Sequence, residues 1–354
     1  MKPFIVMDIV KKAQSLKDVI HLEIGEPDLL PSPKVQEALK EAINQKKFFY
    51  TESKGLLELR QKIALHYQKV YNLNINPDNI IITTGTSTAF LIAFYFANTI
   101  ATQSPGYPCY KNFATLEQKK FLLIPTQFPN YQLKVNDLKK LSFDALLISN
   151  PNNPTGTIHT NLEELATYCK KNNKLFISDE LYHGLIYDAP VHCALEFNED
   201  AIIISGFSKY FAMPGLRIGW MIVPDKLKRQ AEIIAQNILI SAPTLSQYAA
   251  IKAFDYDYLQ TIYTTFKKRK AFATSYLAPY FPIANAKGAF YLWLDISQYS
   301  NNALTFCNEL LEQKRVALTP GIDFGVYPNF VRLAYTKDIK TLEKGIKKII
   351  EFIQ

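Results

Sequence analysis

The sequence predicts an α/β fold, in which a mainly parallel central sheet flanked by helices joins a smaller α+β portion. Three observations carry that expectation. Short apolar runs alternate with longer helical patterns from about Asn79 to about Tyr248, as strand–helix–strand crossovers require. Each run is β-branched or otherwise apolar and ends abruptly in polar, Gly or Pro residues. The 354 residues, 48% of them hydrophobic, suffice for a large core and a second, smaller one.

Along the chain, Phe4, Ile9, Val10, Ala13 and Leu16 recur at near-helical spacing. They predict an amphipathic N-terminal helix that needs a partner surface, either its own body or a second subunit. Another helical pattern covers Leu56 to Tyr67. The run Asn79 to Ile82 then leads into Thr83-Thr-Gly-Thr-Ser-Thr and a helix at Ala89 to Ala97. Asp144 to Ile148 leads into Ser149-Asn-Pro-Asn-Asn-Pro-Thr-Gly, and Leu175 to Ile177 into Ser178-Asp-Glu-Leu-Tyr. Ala201 to Ile204 leads into the glycine-flanked turn that holds Lys209. In a parallel sheet those four polar ends fall on one edge, and open α/β sheets bind ligands beyond the carboxyl ends of their strands. After Pro243 long helices are expected at Leu245 to Phe254 and Tyr258 to Tyr276, then strands at Phe290 to Leu294 and Phe330 to Tyr335, then a Lys-rich closing helix. The expected division is a large domain over 46–247 and a small domain built from 1–45 and 248–354.

Composition narrows the function classes. The formal charge of +8 is spread without a basic run or basic-aromatic repeat, which points to a solvated lysine-rich surface and away from nucleic acid. Cys109, Cys169, Cys193 and Cys307 are widely separated, with no C-x-x-C pair and no His at metal-ligand spacing. Reduced thiols and no metal site follow, in a cytoplasmic setting. Lys2 precedes only a short apolar patch that Asp8 interrupts, and no apolar run is long enough to span a bilayer, so a soluble, unexported chain is expected.

A lysine placed as Lys209 is can be dehydrated and nucleophilic, although most of the 34 lysines are ordinary surface groups. Gly85, Thr86 and Ser87 open a helix, where outward amides and the helix dipole favour an anion by roughly 0.3 to 1 kcal/mol. Taken singly, Asp179 also reads as a helix N-cap, and Asn-Pro-Asn-Asn-Pro as a turn-rich loop.

Together these segments resemble the pyridoxal-phosphate-dependent aminotransferases of fold type I, the class I and II group, from about Leu22 to Tyr335. The spacing from Gly206 through Lys209 and Arg217 to Gly219 is similar to that family's cofactor-attachment pattern. The resemblance implies that Lys209 forms a Schiff base with pyridoxal 5'-phosphate and shuttles a proton during catalysis. It implies that Asp179 pairs with the pyridine nitrogen, and that Tyr182 and Asn153 hydrogen-bond the phenolic oxygen. Gly85, Thr86, Ser87 and Arg217 would hold the phosphate. Many relatives carry a hydroxyl three residues before the lysine where this chain has Gly206, so that contact falls to Ser208 or Thr86. Tyr107 would stack on the cofactor face, with a core or turn tyrosine as its alternative. Tyr50 would reach the phosphate of the neighbouring subunit, which makes the unit a homodimer with composite sites. Arg332 would clamp the substrate α-carboxylate, and Gly25 lies in a segment that closes over it or forms an ordinary turn.

The six arginines bear on the substrate. Arg217 and Arg332 have roles by resemblance, and Arg60, Arg229, Arg269 and Arg315 lie on helical patterns, so no spare arginine sits in a loop to grip a second carboxylate. A neutral or aromatic amino donor is therefore expected in preference to aspartate, with 2-oxoglutarate as acceptor and ping-pong kinetics. The alternatives are another reaction on the same scaffold (decarboxylation of an amino acid phosphate or β-elimination), histidinol-phosphate transamination, or a relative that holds cofactor without turnover.

Overall fold

The computed structural model describes residues 5–354, so Phe4 of the expected N-terminal helix lies outside the described residues. The chain opens with α1 (Ile5–Gln14), β1 (Ile20–His21), α2 (Pro33–Asn44) and α3 (Leu57–Tyr71). Ser32 starts α2 because its hydroxyl accepts the Val35 N–H, and Pro33 occupies a first-turn position that has no intrahelical partner to lose.

The main body alternates as the sequence predicts: β2 (Ile80–Thr83), α4 (Gly85–Phe94), β3 (Thr99–Ser104), α5 (Cys109–Leu116), β4 (Lys120–Pro125), α6 (Val135–Leu138), β5 (Ala145–Ser149), α7 (Leu162–Lys171), β6 (Leu175–Asp179), β7 (Ile202–Gly206) and β8 (Gly219–Ile222). These strands form one seven-stranded sheet in the order β2-β8-β7-β6-β5-β3-β4. All neighbours are parallel except β8, which is antiparallel to both β2 and β7. The 207–218 link contains only a single 3-10 turn, too little for a crossover helix, so the chain reverses at β8. Two reversals cancel, and the carboxyl ends of β2, β5, β6 and β7 share one edge. Alternation along the strands supplies two layers. Ile80, Ile82, Leu146, Ile148 and Ile203 pack into a core with Leu59 and Ile63 of α3, while Ile81, Leu147, Ile177, Ile202 and Ile204 face Phe90 and Phe94 of α4.

The remainder comprises α8 (Asp225–Leu239), α9 (Thr244–Ile251), α10 (Tyr256–Leu277), β9 (Tyr291–Asp295), α11 (Ala303–Lys314), β10 (Val316–Ala317), β11 (Thr319–Pro320), β12 (Phe330–Ala334) and α12 (Ile339–Ile353). An antiparallel sheet β11-β12-β9 and the parallel pair β1-β10 share a core with Ile9 and Ala13 of α1 and Ile346 of α12. The packing departs from the sequence division at two places. Val35 of α2 and Ala249 and Ala250 of α9 lie in the core of the large sheet, so α2, which packs on α9, goes with the large body, whereas residues 5–22 go with the smaller one. The cause is tertiary: the buried stripe of α2 is short and finds its cover 200 residues away in sequence.

Candidate functional site

The shared carboxyl edge opens into a cavity of about 460 Å³ whose walls include Thr86, Ser87, Tyr107, Asn153, Asp179, Tyr182, Ser208, Lys209, Arg217, Gly25 and Arg332. Sequence reasoning had picked all of these from segments spread over three hundred residues. Two further picks stand apart. Gly85 is off the cavity wall, packed against Arg217, and Tyr50 is 80% exposed and outside the cavity.

Lys209 stands three residues past β7 and donates from Nζ to the Gly25 carbonyl at 2.6 Å. Burial first, and the Arg332 charge second, bring its amine down to about 8. Asp179 ends β6 and is buried; the Tyr110 hydroxyl donates to one carboxylate oxygen and the Leu181 N–H to the other, at 3.2 Å in the latter case. Burial still lifts this carboxyl to about 6 against both donors, so a cationic partner would be favoured there. Tyr182 shares a hydroxyl–hydroxyl bond of 2.8 Å with Tyr291.

The phosphate-like cup forms where α4 begins. Gly85 has φ +68°, and a Cβ there would fall 2.6 Å from Arg217 Nη2, so the guanidinium lies against a bare Cα. Arg217 itself adopts φ +50° and is anchored by Nη1 donating to the Pro214 carbonyl at 3.0 Å. Thr86 and Ser87 contribute hydroxyls at the head of a ten-residue helix, and Ser208 of the link after β7 adds one on the same cavity wall, a donor set suited to an anion. The glycine at 206 has a packing reason: it pairs with Gly219, and a Cβ there would lie 3.3 Å from the Gly219 Cα and 3.4 Å from Thr86 Cγ2. Both Ser208 and Thr86 stay on the cavity wall.

At the opposite wall, Arg332 of β12 is buried between the rings of Tyr291 and Phe324, its guanidinium carbon 4.4 and 4.8 Å from their centroids. It donates to Asn153 Oδ1 at 2.8 Å, to the Glu23 carbonyl at 2.6 Å and to Thr319 Oγ1 at 3.3 Å, while its buried Nε has no partner. The residue lines the cavity, and a guanidinium fork braced in this way suits a ligand carboxylate. Gly25 is more than a turn glycine: a Cβ would sit 1.9 Å from the Tyr291 hydroxyl. Tyr107 meets Tyr110 edge-on at 5.4 Å and lines the cavity.

These residues fit pyridoxal phosphate: an anion cup, a buried carboxylate opposite it in chemistry, hydroxyl and amide donors, and an amine held near neutrality. Sequence reasoning missed Tyr110, Tyr291, Phe324 and Asp323, and the α1 side chains Val6, Met7 and Val10, which also line the cavity. Tyr110 had a local signal, one helical turn past Tyr107. Tyr291 had none, since it reads as a core residue of an apolar strand.

Comparison with known proteins agrees with the geometry. The family model described as aminotransferase class I and II matches residues 17–349. The chain is 37% identical to the (5-formylfuran-3-yl)methyl phosphate transaminase of Methanocaldococcus jannaschii, covering 99% of this chain and 96% of that one. It is 32% identical to the valine–pyruvate aminotransferase of Mycobacterium tuberculosis, covering 98% and 95%. The crystal structure of an aspartate aminotransferase from Thermotoga maritima superposes with a TM-score of 0.93 at 32% identity, covering 98% of this chain and 96% of that one.

Proposed function

The chain belongs to the class I and II aminotransferase family, and from that premise we propose that it transfers the amino group of a neutral or aromatic amino acid to a 2-oxo acid in two half-reactions. Members of this family depend on pyridoxal phosphate, which when bound supplies an aldehyde for attachment and a ring that takes up the electrons left by a departing Cα proton. The chain's own residues then have distinct tasks. Lys209 Nζ would hold the coenzyme as a neutral, nucleophilic amine and would move the proton to and from the substrate Cα. Asp179 would keep the ring nitrogen of the bound coenzyme protonated. Tyr182 and Asn153 would supply the donors at the ring oxygen, and Arg217 with the start of α4 would hold the phosphate. Arg332 orients the substrate through its carboxylate.

The observation that carries the donor preference is the charge inventory of the cavity. Among the described residues its cations are Lys209, Arg217 and Arg332, and each already has a task. The other arginines are elsewhere: Arg60 is tied to Glu52 and Asp78, Arg269 grips Asp28 at 2.7 Å, Arg229 pairs with Glu232 on an exposed helix, and Arg315 caps the end of α11. The walls left for a side chain are Val6, Met7, Val10, Ile24 and Phe324. The name of the Mycobacterium tuberculosis relative pairs a neutral donor with its acceptor, in line with this reading, whereas the Thermotoga maritima protein is named for aspartate. Initial rates across a panel of amino donors test it directly: neutral or aromatic donors should lead, and a clear lead for aspartate would overturn it. Parallel double-reciprocal lines for donor and acceptor are expected of the two half-reactions.

We place Tyr50 in the site of a second copy. Phe48, Phe49 and Tyr50 form a run of exposed aromatics, 62, 84 and 80% exposed, held by Thr244 Oγ1 donating to the Phe49 carbonyl at 2.8 Å. An apolar strip of that kind on a soluble body is covered in the working assembly.

A further inference from the structure

The 3-10 turn at Gly321–Phe324 carries Asp323, a half-buried carboxylate on the cavity wall with no task in the chemistry described above. Its two oxygens accept the first amides of α1, Ile5 N at 3.0 Å and Val6 N at 3.3 Å. That contact joins residues 318 positions apart and fixes α1 so that Val6, Met7 and Val10 wall the cavity. Asp323 also faces Arg332 electrostatically, so it lies within range of the point where a substrate α-carboxylate is anchored.

Resting on the aminotransferase reading, we propose that Asp323 is a specificity-determining residue. It excludes substrates with a second carboxylate and holds α1 as the apolar wall that receives a monocarboxylic side chain. The charge balance of the cavity supports this. Among the described residues its anions are Glu23, Asp179 and Asp323; Glu23 is buried and paired with His21 at 2.8 Å, and Asp179 would face the coenzyme. With phosphate on Arg217 and the α-carboxylate on Arg332, a distal carboxylate would meet, among the described residues of its own chain, no free cation and one fixed anion. At an effective dielectric of about 20, two like charges about 7 Å apart change affinity roughly fiftyfold. The same repulsion would act on a dicarboxylic acceptor, so pyruvate should lead 2-oxoglutarate in the second half-reaction.

Holoenzyme half-reactions read from the coenzyme absorbance give kcat and KM for norvaline and glutamate, which differ mainly by one carboxylate. Calorimetry with butyrate and succinate gives the matching binding ratio without turnover. Asp323→Asn and Asp323→Ser both remove the charge but keep an acceptor for the α1 amides. In either variant the glutamate-to-norvaline ratio of kcat/KM should rise by about tenfold or more, chiefly through KM, and succinate should tighten against butyrate by a similar factor. Ratios that stay within about twofold of the parent in whichever variant folds would overturn the proposal. If the parent enzyme itself favours glutamate, the neutral-donor reading fails, whereas the Asp323 assignment still stands or falls on the shift between parent and variant.

Discussion

At the scale of single residues, the site is governed by what burial does to charge. Lys209 loses solvation and faces Arg332, and both effects favour the neutral amine that a nucleophile must be. Only the unprotonated form attacks an aldehyde, so capture of added coenzyme by the coenzyme-free protein should quicken about tenfold per pH unit and level off above about pH 8. An ordinary lysine would keep gaining to about pH 10. Stopped-flow absorbance between about pH 6 and 10 separates the two. Lys209→Ala should abolish turnover and borohydride trapping while circular dichroism stays that of the parent. Asp179 depends on its own neighbours in the same way. Asp179→Ala should lower kcat by roughly a hundred- to ten-thousandfold, because the ring nitrogen would lose its carboxylate. Tyr110→Phe removes only one donor to that carboxylate and should cost roughly tenfold in kcat. Wild-type-like turnover in Asp179→Ala would remove that aspartate from the mechanism.

Elements were legible where a local pattern sufficed. The buried central strands β5, β6 and β7 read as near-continuous apolar runs, as strands covered on both faces must. Three strands of the same sheet went unread. β3 mixes Thr99, Thr102, Gln103 and Ser104 with its apolar residues, β4 is a half-exposed edge, and β8 is four residues beginning with glycine. Their place is fixed by neighbours rather than by their own composition. Helix α4 begins at Gly85, four residues before the apolar pattern does, because the polar turn Gly85–Thr88 is already helical and Thr88 bonds back to Gly85 O at 3.4 Å. That early start builds the anion cup. Gly85→Ala would set a Cβ against Arg217 in a left-handed residue, so coenzyme phosphate should bind at least about tenfold more weakly, with a backbone cost of about 1–2 kcal/mol. Equilibrium dialysis against coenzyme measures the first and urea unfolding of the coenzyme-free protein the second.

At the scale of the whole molecule, the cavity lies where the large sheet, the smaller β11-β12-β9 sheet and α1 meet, so each of its walls comes from a different part of the chain. Assembly adds a further wall in our reading. Phe49→Glu should shift sedimentation toward the monomer and weaken coenzyme retention together. Co-expressed Tyr50→Ala and Lys209→Ala chains should regain activity in mixed dimers, in which one site has both parental residues. A Tyr50→Ala enzyme with undiminished coenzyme affinity would remove that residue from the partner's site.

The sequence by itself determined the residues that sit at strand ends: Lys209, Asp179, Tyr182, Asn153 and the Gly85–Ser87 turn. Their spacing to the preceding apolar run fixes them to one sheet edge, and that spacing is written locally. Only the tertiary structure decided how Arg332 is braced between Tyr291 and Phe324, which carboxylate remains on the cavity wall, and which body α2 joins. These depend on contacts between segments far apart in the chain, such as Asp323 with the first turn of α1. Nothing in the neighbouring residues of either segment records such a contact.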